Sequence, residues 1–229
     1  MSVQSLSLII FAFNEARNIG RVVEECLEVL PQRVQAFELI LVDDGSTDET
    51  YSVMEALARR SANIRLLRHA KNQGIGSALR TGYQVARYNY ISFLPADNQI
   101  RAMELPKLFD AAGADIDVVS TYYSRRADNL IRRVSSRSFR VLQFLLFGLL
   151  PRLEGTYLFR REVLERFHLV SDSFALNFEF IIRSYRAGCR FAVVEIECSP
   201  RLSGASKVFS PRKILFVLVE ILALRKRLS

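Results

Sequence analysis

The chain has 229 residues, 50% of them hydrophobic and 24% charged, which suits one globular domain with a sizeable core and argues against disorder. Its net charge of +8 is uneven: residues 1–124 carry 12 Lys and Arg against 15 Asp and Glu, and residues 125–229 carry 20 against 9. An anionic partner, whether nucleic acid, lipid surface or phosphorylated substrate, is therefore expected at the second half. Cys26, Cys189 and Cys198 are odd in number and form no CxxC pair, so they support neither a zinc knuckle nor a disulfide framework, and a reducing cytosol is expected.

In chain order, "MSVQSLSLII" lacks the basic stretch and long apolar run of a signal peptide and runs straight into a first strand, so no export is expected. Four apolar runs each precede a helical pattern: "LSLIIF" before residues 17–30, "FELILV" before 48–60, "IRLLR" before 75–87 and "NYISFL" before 103–112. Ile, Leu and Val-rich strands alternating with amphipathic helices predict an α/β fold, a mostly parallel sheet covered on both faces. Such sheets bind ligands outside the carboxyl ends of their strands. The informative loops are therefore "AFNEARN", "DDGSTDET", "HAKNQGIGS" and "PADNQ".

In "DDGSTDET" the Asp-Gly pair suits a turn, and Ser46 with Glu49 matches a capping box; neither accounts for the adjacent acids Asp43 and Asp44. "QGIGSAL" follows the third strand and lacks the third glycine of a dinucleotide fingerprint, so a glycine-rich lead-in that lets backbone approach a ligand or the sheet is the better reading. "GASK" lacks the first glycine of a Walker A loop. His69 and His168 stand apart in the sequence, which gives little support to a histidine metal site or a catalytic triad.

Taken together, "FAFNEARNI", "LVDDGSTDET", "KNQGIGSALRTGY", "LPADNQI" and "RLSGASK", in this order and spacing, resemble the family 2 glycosyltransferases of the GT-A fold, and among them the dolichyl- or polyprenyl-phosphate sugar synthases. The resemblance covers roughly residues 5–210. It implies a Rossmann-like GT-A domain over 1–210, with 1–124 as the nucleotide-sugar half and 125–210 as the acceptor half, and amphipathic interfacial helices in the C-terminal part. It further implies that Glu15 and Asp44 hold the base and ribose of a GDP- or UDP-linked sugar. Phe11, Phe13, Asp43, Asn72, Gly74, Ala96 and Asp97 would line the same pocket. Carboxylates do accept hydrogen bonds from base N–H and ribose hydroxyl groups. "PADNQ" falls where the family writes Asp-x-Asp, so Asp97 and Gln99 would be oxygen ligands of Mg²⁺ or Mn²⁺ beside the diphosphate. Pro95 occupies the position of the first acid, removing one negative charge, and Phe11 stands where these enzymes often carry proline.

In the second half, arginines surround the apolar run 141–150. Arg125, Arg133, Ser136, Arg137 and Ser206 are expected at the acceptor phosphate, with Asp97, Glu154, Arg201 and Lys207 as catalytic residues. "RLSGASK" matches the family's R-x-x-G-x-S-K pattern, and arginine forks and a lysine point charge suit phosphate chemistry. Neither apolar run reaches the ~20 residues that span a bilayer. Residues 211–229, which place Ile214 to Leu224 between basic residues, are expected to form an amphipathic basic helix on an anionic surface, with a partner-binding helix or a plain core helix as alternatives.

The expected function is inverting transfer of a sugar from a nucleoside diphosphate to a polyprenyl phosphate, peripheral on the cytoplasmic face of a membrane, with room for a membrane-protein partner. Alternatives are inverting transfer to a glycan or other hydroxyl, with Glu154 or Glu179 as base, and a catalytically weak nucleotide-sugar or lipid-phosphate binding subunit. Nucleic acid fits less well, because Phe139, Phe144 and Phe147 sit in an apolar context.

Overall fold

A computed structural model describes residues 3–124, 155–199 and 219–226, together with Phe144, Phe147 and Gly148. Its first half alternates strands and helices: β1 (Ser5–Ala12), α1 (Ala16–Val29), β2 (Ala36–Asp43), α2 (Thr50–Arg60), β3 (Ile64–Arg68), α3 (Ile75–Val85), β4 (Tyr90–Pro95) and α4 (Leu105–Ala111). There follow β5 (Val118–Tyr123), β6 (Tyr157–Arg160), the short helix α5 (Arg161–Glu165), α6 (Ala175–Arg186) and β7 (Phe191–Ile196). Residues 219–226 form a further helical segment.

The strands make one sheet in the order β3-β2-β1-β4-β6-β5-β7. β1 pairs in parallel with both β2 and β4, and β3 extends that parallel half. β6 runs antiparallel to its neighbours β4 and β5, so the sheet is mixed at that point. The direction of the strand order reverses at β1, and open α/β sheets bind ligands outside the carboxyl ends of their strands at such a point.

β1 shows why both faces are covered. Leu6, Leu8 and Ile10 enter one fully buried cluster with Ile19 and Val23 of α1 and Leu105 and Leu108 of α4, while Ile9 enters another with Leu79 of α3 and Leu176 and Phe180 of α6. Successive side chains point to opposite faces, and both faces are apolar, as a strand buried on two sides requires. Gly82 of α3 sits so close that an added Cβ would lie 2.7 Å from Ile9. Tyr157 is stacked on Phe180 at 5.2 Å, donates its hydroxyl proton to Asn177 Oδ1 and so accepts from the Tyr83 hydroxyl; burial pushes both phenols up, so they remain neutral.

The capping box expected from Ser46 and Glu49 does not form. α2 begins at Thr50, whose backbone N–H donates to Asp48 Oδ1, and Glu49 makes no side-chain cap. Ser46 Oγ accepts the Asn14 N–H at 2.9 Å instead, tying the loop after β2 to the loop after β1.

Candidate active site

Parallel register brings the ends of β1, β2 and β4 to one level. Ala12 pairs with Asp43 and Phe11 with Pro95, and hydrogen bonds from Asp44 N to Ala12 O and from Ala96 N to Phe11 O carry the pairing one step beyond the strands. Phe11, Phe13, Glu15, Asp43, Asp44, Ala96 and Asp97 therefore gather at the carboxyl edge of three adjacent strands. Phe11 and Phe13 are half-buried there, and Phe11 packs against Phe93 with ring centroids 6.2 Å apart.

The loops are laced to one another by their own polar side chains. Asn14, held at φ 54°, accepts the Thr47 N–H on Oδ1 at 2.8 Å. Glu15 donates its N–H to Thr50 Oγ1 at 2.8 Å and accepts from Asn18 Nδ2 at 2.7 Å. Gly45, at φ 69°, lies so near the third loop that a Cβ would meet the Lys71 carbonyl carbon at 2.3 Å. The Asp-Gly pair is thus a point of close approach as well as a turn.

Asp44 is the hub of this arrangement. Its Oδ1 accepts from His69 Nδ1 at 2.7 Å and Gln73 N at 2.9 Å, and its Oδ2 from Asn72 Nδ2 and Gly74 N, both at 2.9 Å. Two hydrogen bonds per oxygen fill the acceptor capacity of a carboxylate. With its side chain 5% exposed, Asp44 holds the loop of Asn72 and Gly74 in place, and the expected grip on base and ribose would use an oxygen that one of these donors releases. His69, set aside on sequence because it has no histidine neighbour, is the missed member. A carboxylate only accepts, so Nδ1 carries the proton, while Nε2 lies 2.9 Å from Thr81 Oγ1 of α3. The signal that could have found it is its place, the first residue after β3.

Asp43 is fully buried; its Oδ1 accepts the Ser46 N–H at 3.1 Å and its Oδ2 lies 3.3 Å from Arg68 Nε. The Arg68 guanidinium stacks over Tyr51, 4.2 Å from the ring centre, leaving a cationic rim at the end of β3. Neither glycine of "QGIGSAL" belongs to a dinucleotide turn. Gly74, at φ 95°, places its N–H on Asp44, and a Cβ on Gly76 would lie 2.4 Å from Ser173 O.

Beyond β4, Asp97 is 7% exposed and accepts the Gln99 N–H on Oδ1 at 3.1 Å. Asn98 between them adopts φ 57° and buries its Oδ1 with no hydrogen-bond partner among the described residues. A carboxylate with amide oxygens beside it is a set of hard donors that fits Mg²⁺ or Mn²⁺. Among the described residues no three His, Cys, Asp or Glu side chains converge as a metal cage, so ligands from elsewhere would complete the shell.

Glu179 is excluded as a general base. It is fully buried on α6, accepts the N–H groups of Val170 and Ser171 at 3.1 and 2.9 Å, and pairs with Arg183 at 3.0 Å. Glu154, Arg201 and Lys207, and the acceptor-side Arg125, Arg133, Ser136, Arg137 and Ser206, lie outside the described residues.

The chain is 30% identical over 170 residues to the undecaprenyl-phosphate 4-deoxy-4-formamido-L-arabinose transferase of Photorhabdus laumondii subsp. laumondii, covering 71% of this chain and 51% of that protein. It is 28% identical over 201 residues to the uncharacterized glycosyltransferase EpsJ of Bacillus subtilis, covering 78% of this chain and 56% of EpsJ. It thus spans about half the length of the curated relatives it matches. Glucosyl-3-phosphoglycerate synthase from Mycobacterium tuberculosis, in complex with Mn²⁺, UDP-glucose and phosphoglyceric acid, shares the GT-A fold with a TM-score of 0.77 at 20% identity, over 97% of this chain and 80% of that one. The family model described as glycosyl transferase family 2 matches residues 7–182, from within β1 to within α6. Its span takes in the loops that follow β1, β2, β3 and β4, and the chain belongs to that family.

Proposed function

We propose that this chain transfers a sugar from a nucleoside diphosphate sugar to a polyprenyl phosphate with inversion at the anomeric centre. The observation that carries the reading is the level set of acids and amides at the ends of β1, β2 and β4, with Asn72 and Gly74 held beside them by Asp44. Support for the acceptor comes from relatives named for transfer to undecaprenyl phosphate, and support for a metal-bound nucleotide from neighbours crystallised with UDP and Mn²⁺ or Mg²⁺.

In this reading Asn72 and Glu15 bind the nucleoside, and Phe11 and Phe13 flank it. Asp97 and Gln99 hold a divalent cation, which when bound neutralises charge on the departing diphosphate. Arg201 and Lys207 of the phosphate-binding loop add positive charge, and the lipid phosphate attacks the anomeric carbon from the face opposite the leaving group. A phosphate monoester with a second pKa near ~6 is already largely ionised, so no side chain has to remove its proton; the closure of Glu179 inside α6 is compatible with that. Hydroxyl acceptors would need such a base.

The test is to incubate purified protein with Mn²⁺, a short polyprenyl phosphate and a panel of UDP- and GDP-sugars. A lipid-linked sugar of inverted configuration is expected. Nucleotide binding without turnover on any lipid or hydroxyl acceptor would instead identify a binding subunit.

Membrane contact is part of the same proposal, with the cytoplasmic face as the expected side. No helix among the described residues is long and apolar enough to cross a membrane. Residues 219–226 have two apolar faces: Ile221 and Leu224 are buried against Phe147, Phe178 and Ile182, whereas Val219 and Leu222 are 55% and 51% exposed next to the exposed Arg225 and Lys226. One face thus packs as a core helix does, and the exposed apolar face is the one the interfacial reading assigns to the membrane. Deleting the segment would strip α6, so the informative change is the double substitution Val219→Ser with Leu222→Ser. It should weaken binding to anionic liposomes roughly tenfold, the order expected from removing two half-exposed aliphatic anchors, with thermal stability unchanged. Equal liposome binding by the double variant would remove this face from the membrane contact.

A further inference from the structure

We propose that Glu220, on the C-terminal helical segment, is a positioning residue for the nucleotide loop. The inference rests on the donor-site reading of Asn72 and Gly74. Glu220 Oε1 accepts the Asp172 N–H at 2.9 Å, and Oε2 accepts the Ser173 N–H at 3.2 Å as well as the Ser173 hydroxyl. One carboxylate 47 or 48 residues downstream thus clasps the turn that leads into α6.

That turn bears directly on the start of α3. Asp172 O accepts the Ser77 N–H at 3.2 Å, one of the N-terminal donors a helix leaves unpaired. Arg80 donates to Ser171 O at 2.9 Å and pairs with the Asp172 carboxylate. The backbones meet with no room for a side chain: a Cβ on Gly76 would lie 2.4 Å from Ser173 O, and one on Gly74 3.1 Å from Asp172 O. Gly74 in turn donates its N–H to Asp44 Oδ2, and Gln73 to Asp44 Oδ1. Contact is therefore continuous from Glu220 through Asp172 and Ser173, across Gly76, Ser77 and Arg80, to the loop on which Asn72 is presented.

Two features make Glu220 more than a fastener for its own helix. Ile221 and Leu224 already dock that segment on Phe178 and Ile182 of α6 through buried apolar contact, so the carboxylate is not needed for attachment. Its three hydrogen bonds all go to the Asp172–Ser173 turn, the element that touches α3. The same segment carries the exposed Val219 and Leu222, which places the proposed membrane contact and the nucleotide loop at two ends of one set of contacts.

The experiment compares full-length wild type, Glu220→Ala and Glu220→Gln by amide hydrogen exchange and by calorimetry with UDP and with GDP, each with Mn²⁺. Glu220→Ala should speed exchange across residues 72–80 by about three- to tenfold and weaken nucleotide binding by a similar factor, leaving α1 and α2 unchanged. Glu220→Gln, with a single acceptor oxygen, should fall between, which guards against a gross loss of fold in the alanine variant. In turnover, the donor KM should rise while kcat stays within about twofold. Faster exchange confined to residues 171–186 and 219–226, with residues 72–80 and nucleotide affinity unchanged, would overturn the proposal and leave Glu220 a local clasp. Absence of nucleotide binding in the wild type would sink the donor reading instead, and the exchange at residues 72–80 would still decide whether Glu220 holds that loop.

Discussion

Asp44→Ala should reduce affinity for a nucleoside diphosphate with Mn²⁺ by about a hundredfold or more and also lower the melting temperature. The carboxylate accepts from His69 Nδ1, Gln73 N, Asn72 Nδ2 and Gly74 N at 2.7 to 2.9 Å, and hydrogen bonds to a charged group contribute roughly 1.5–3 kcal/mol each. The four do not add. Asn72 and Gln73 are exposed and water replaces the lost acceptor, whereas His69 is buried and keeps an unpaired N–H. A net loss of about 3 kcal/mol is expected, or roughly 6–12 °C for a chain of this size. The affinity falls because Asn72 and Gly74 lose the group that fixes their position, so Asp44→Asn should be nearly as damaging: its NH₂ would face N–H donors. His69→Gln offers a second view of the same network, and a double-mutant cycle with Asp44→Asn should show strong coupling. An Asp44→Ala protein with wild-type affinity and melting temperature would refute the hub assignment.

The first four strands were legible in the sequence because each carries an apolar run; β1, β2 and β4 are buried on both faces, whereas in the edge strand β3 only Ile64 is buried. "IRLLR" is β3 residue for residue, and "LSLIIF" and "FELILV" fall inside β1 and β2. The rest of the sheet was harder to see. β6 has four residues, Tyr157–Arg160, too short to show a period, and its antiparallel place between β4 and β5 is fixed by contacts 35 or more residues away, such as Thr121 Oγ1 donating to Thr156 O. β7 alternates unevenly because it is an edge strand, with Val193 49% exposed. Within the site, loop position was readable from the rule that parallel sheets bind at their carboxyl ends, but hydrogen-bond allocation was not. Ser46 could cap a helix or accept from Asn14, and only the packing of the loop after β1 against the loop after β2 decides for Asn14. Asp44 reads as a ligand by resemblance; the backbone N–H groups of Gln73 and Gly74 that meet its oxygens leave no trace in residue type. Glu220 is an acid inside the apolar run Ile214 to Leu224, and its partners among the described residues, the Asp172 and Ser173 N–H groups and the Ser173 hydroxyl, lie 47 or 48 residues away.

Asp97→Asn should abolish the mutual strengthening of Mn²⁺ and nucleoside diphosphate binding. The loop after β4 supplies one carboxylate, from Asp97, where the resemblance places two, and Pro95 fills the other position at the last residue of the strand. Neutral amide oxygens at Asn98 and Gln99 add donors without charge. A doubly charged cation is then poorly compensated by the protein alone, and the diphosphate must bring most of the negative charge. Metal and nucleotide should therefore bind far better together than apart, by a coupling of at least tenfold that is the same read from either partner. Pro95→Asp would place a second carboxylate two residues from Asp97, at the last residue of β4 just before the turn that carries Asp97. It should tighten Mn²⁺ binding without nucleotide and so shrink the coupling, since the protein would then supply what the diphosphate now must. The deciding measurement is a Mn²⁺ titration of wild type, Asp97→Asn and Pro95→Asp, each with and without UDP or GDP. If wild type binds Mn²⁺ equally well with and without nucleotide, or if Asp97→Asn keeps the full coupling, the cation is not anchored at this loop. A Pro95→Asp protein that gains metal affinity only when nucleotide is present would point elsewhere too, because the added carboxylate would then be acting through the nucleotide's position and not as a ligand of the ion.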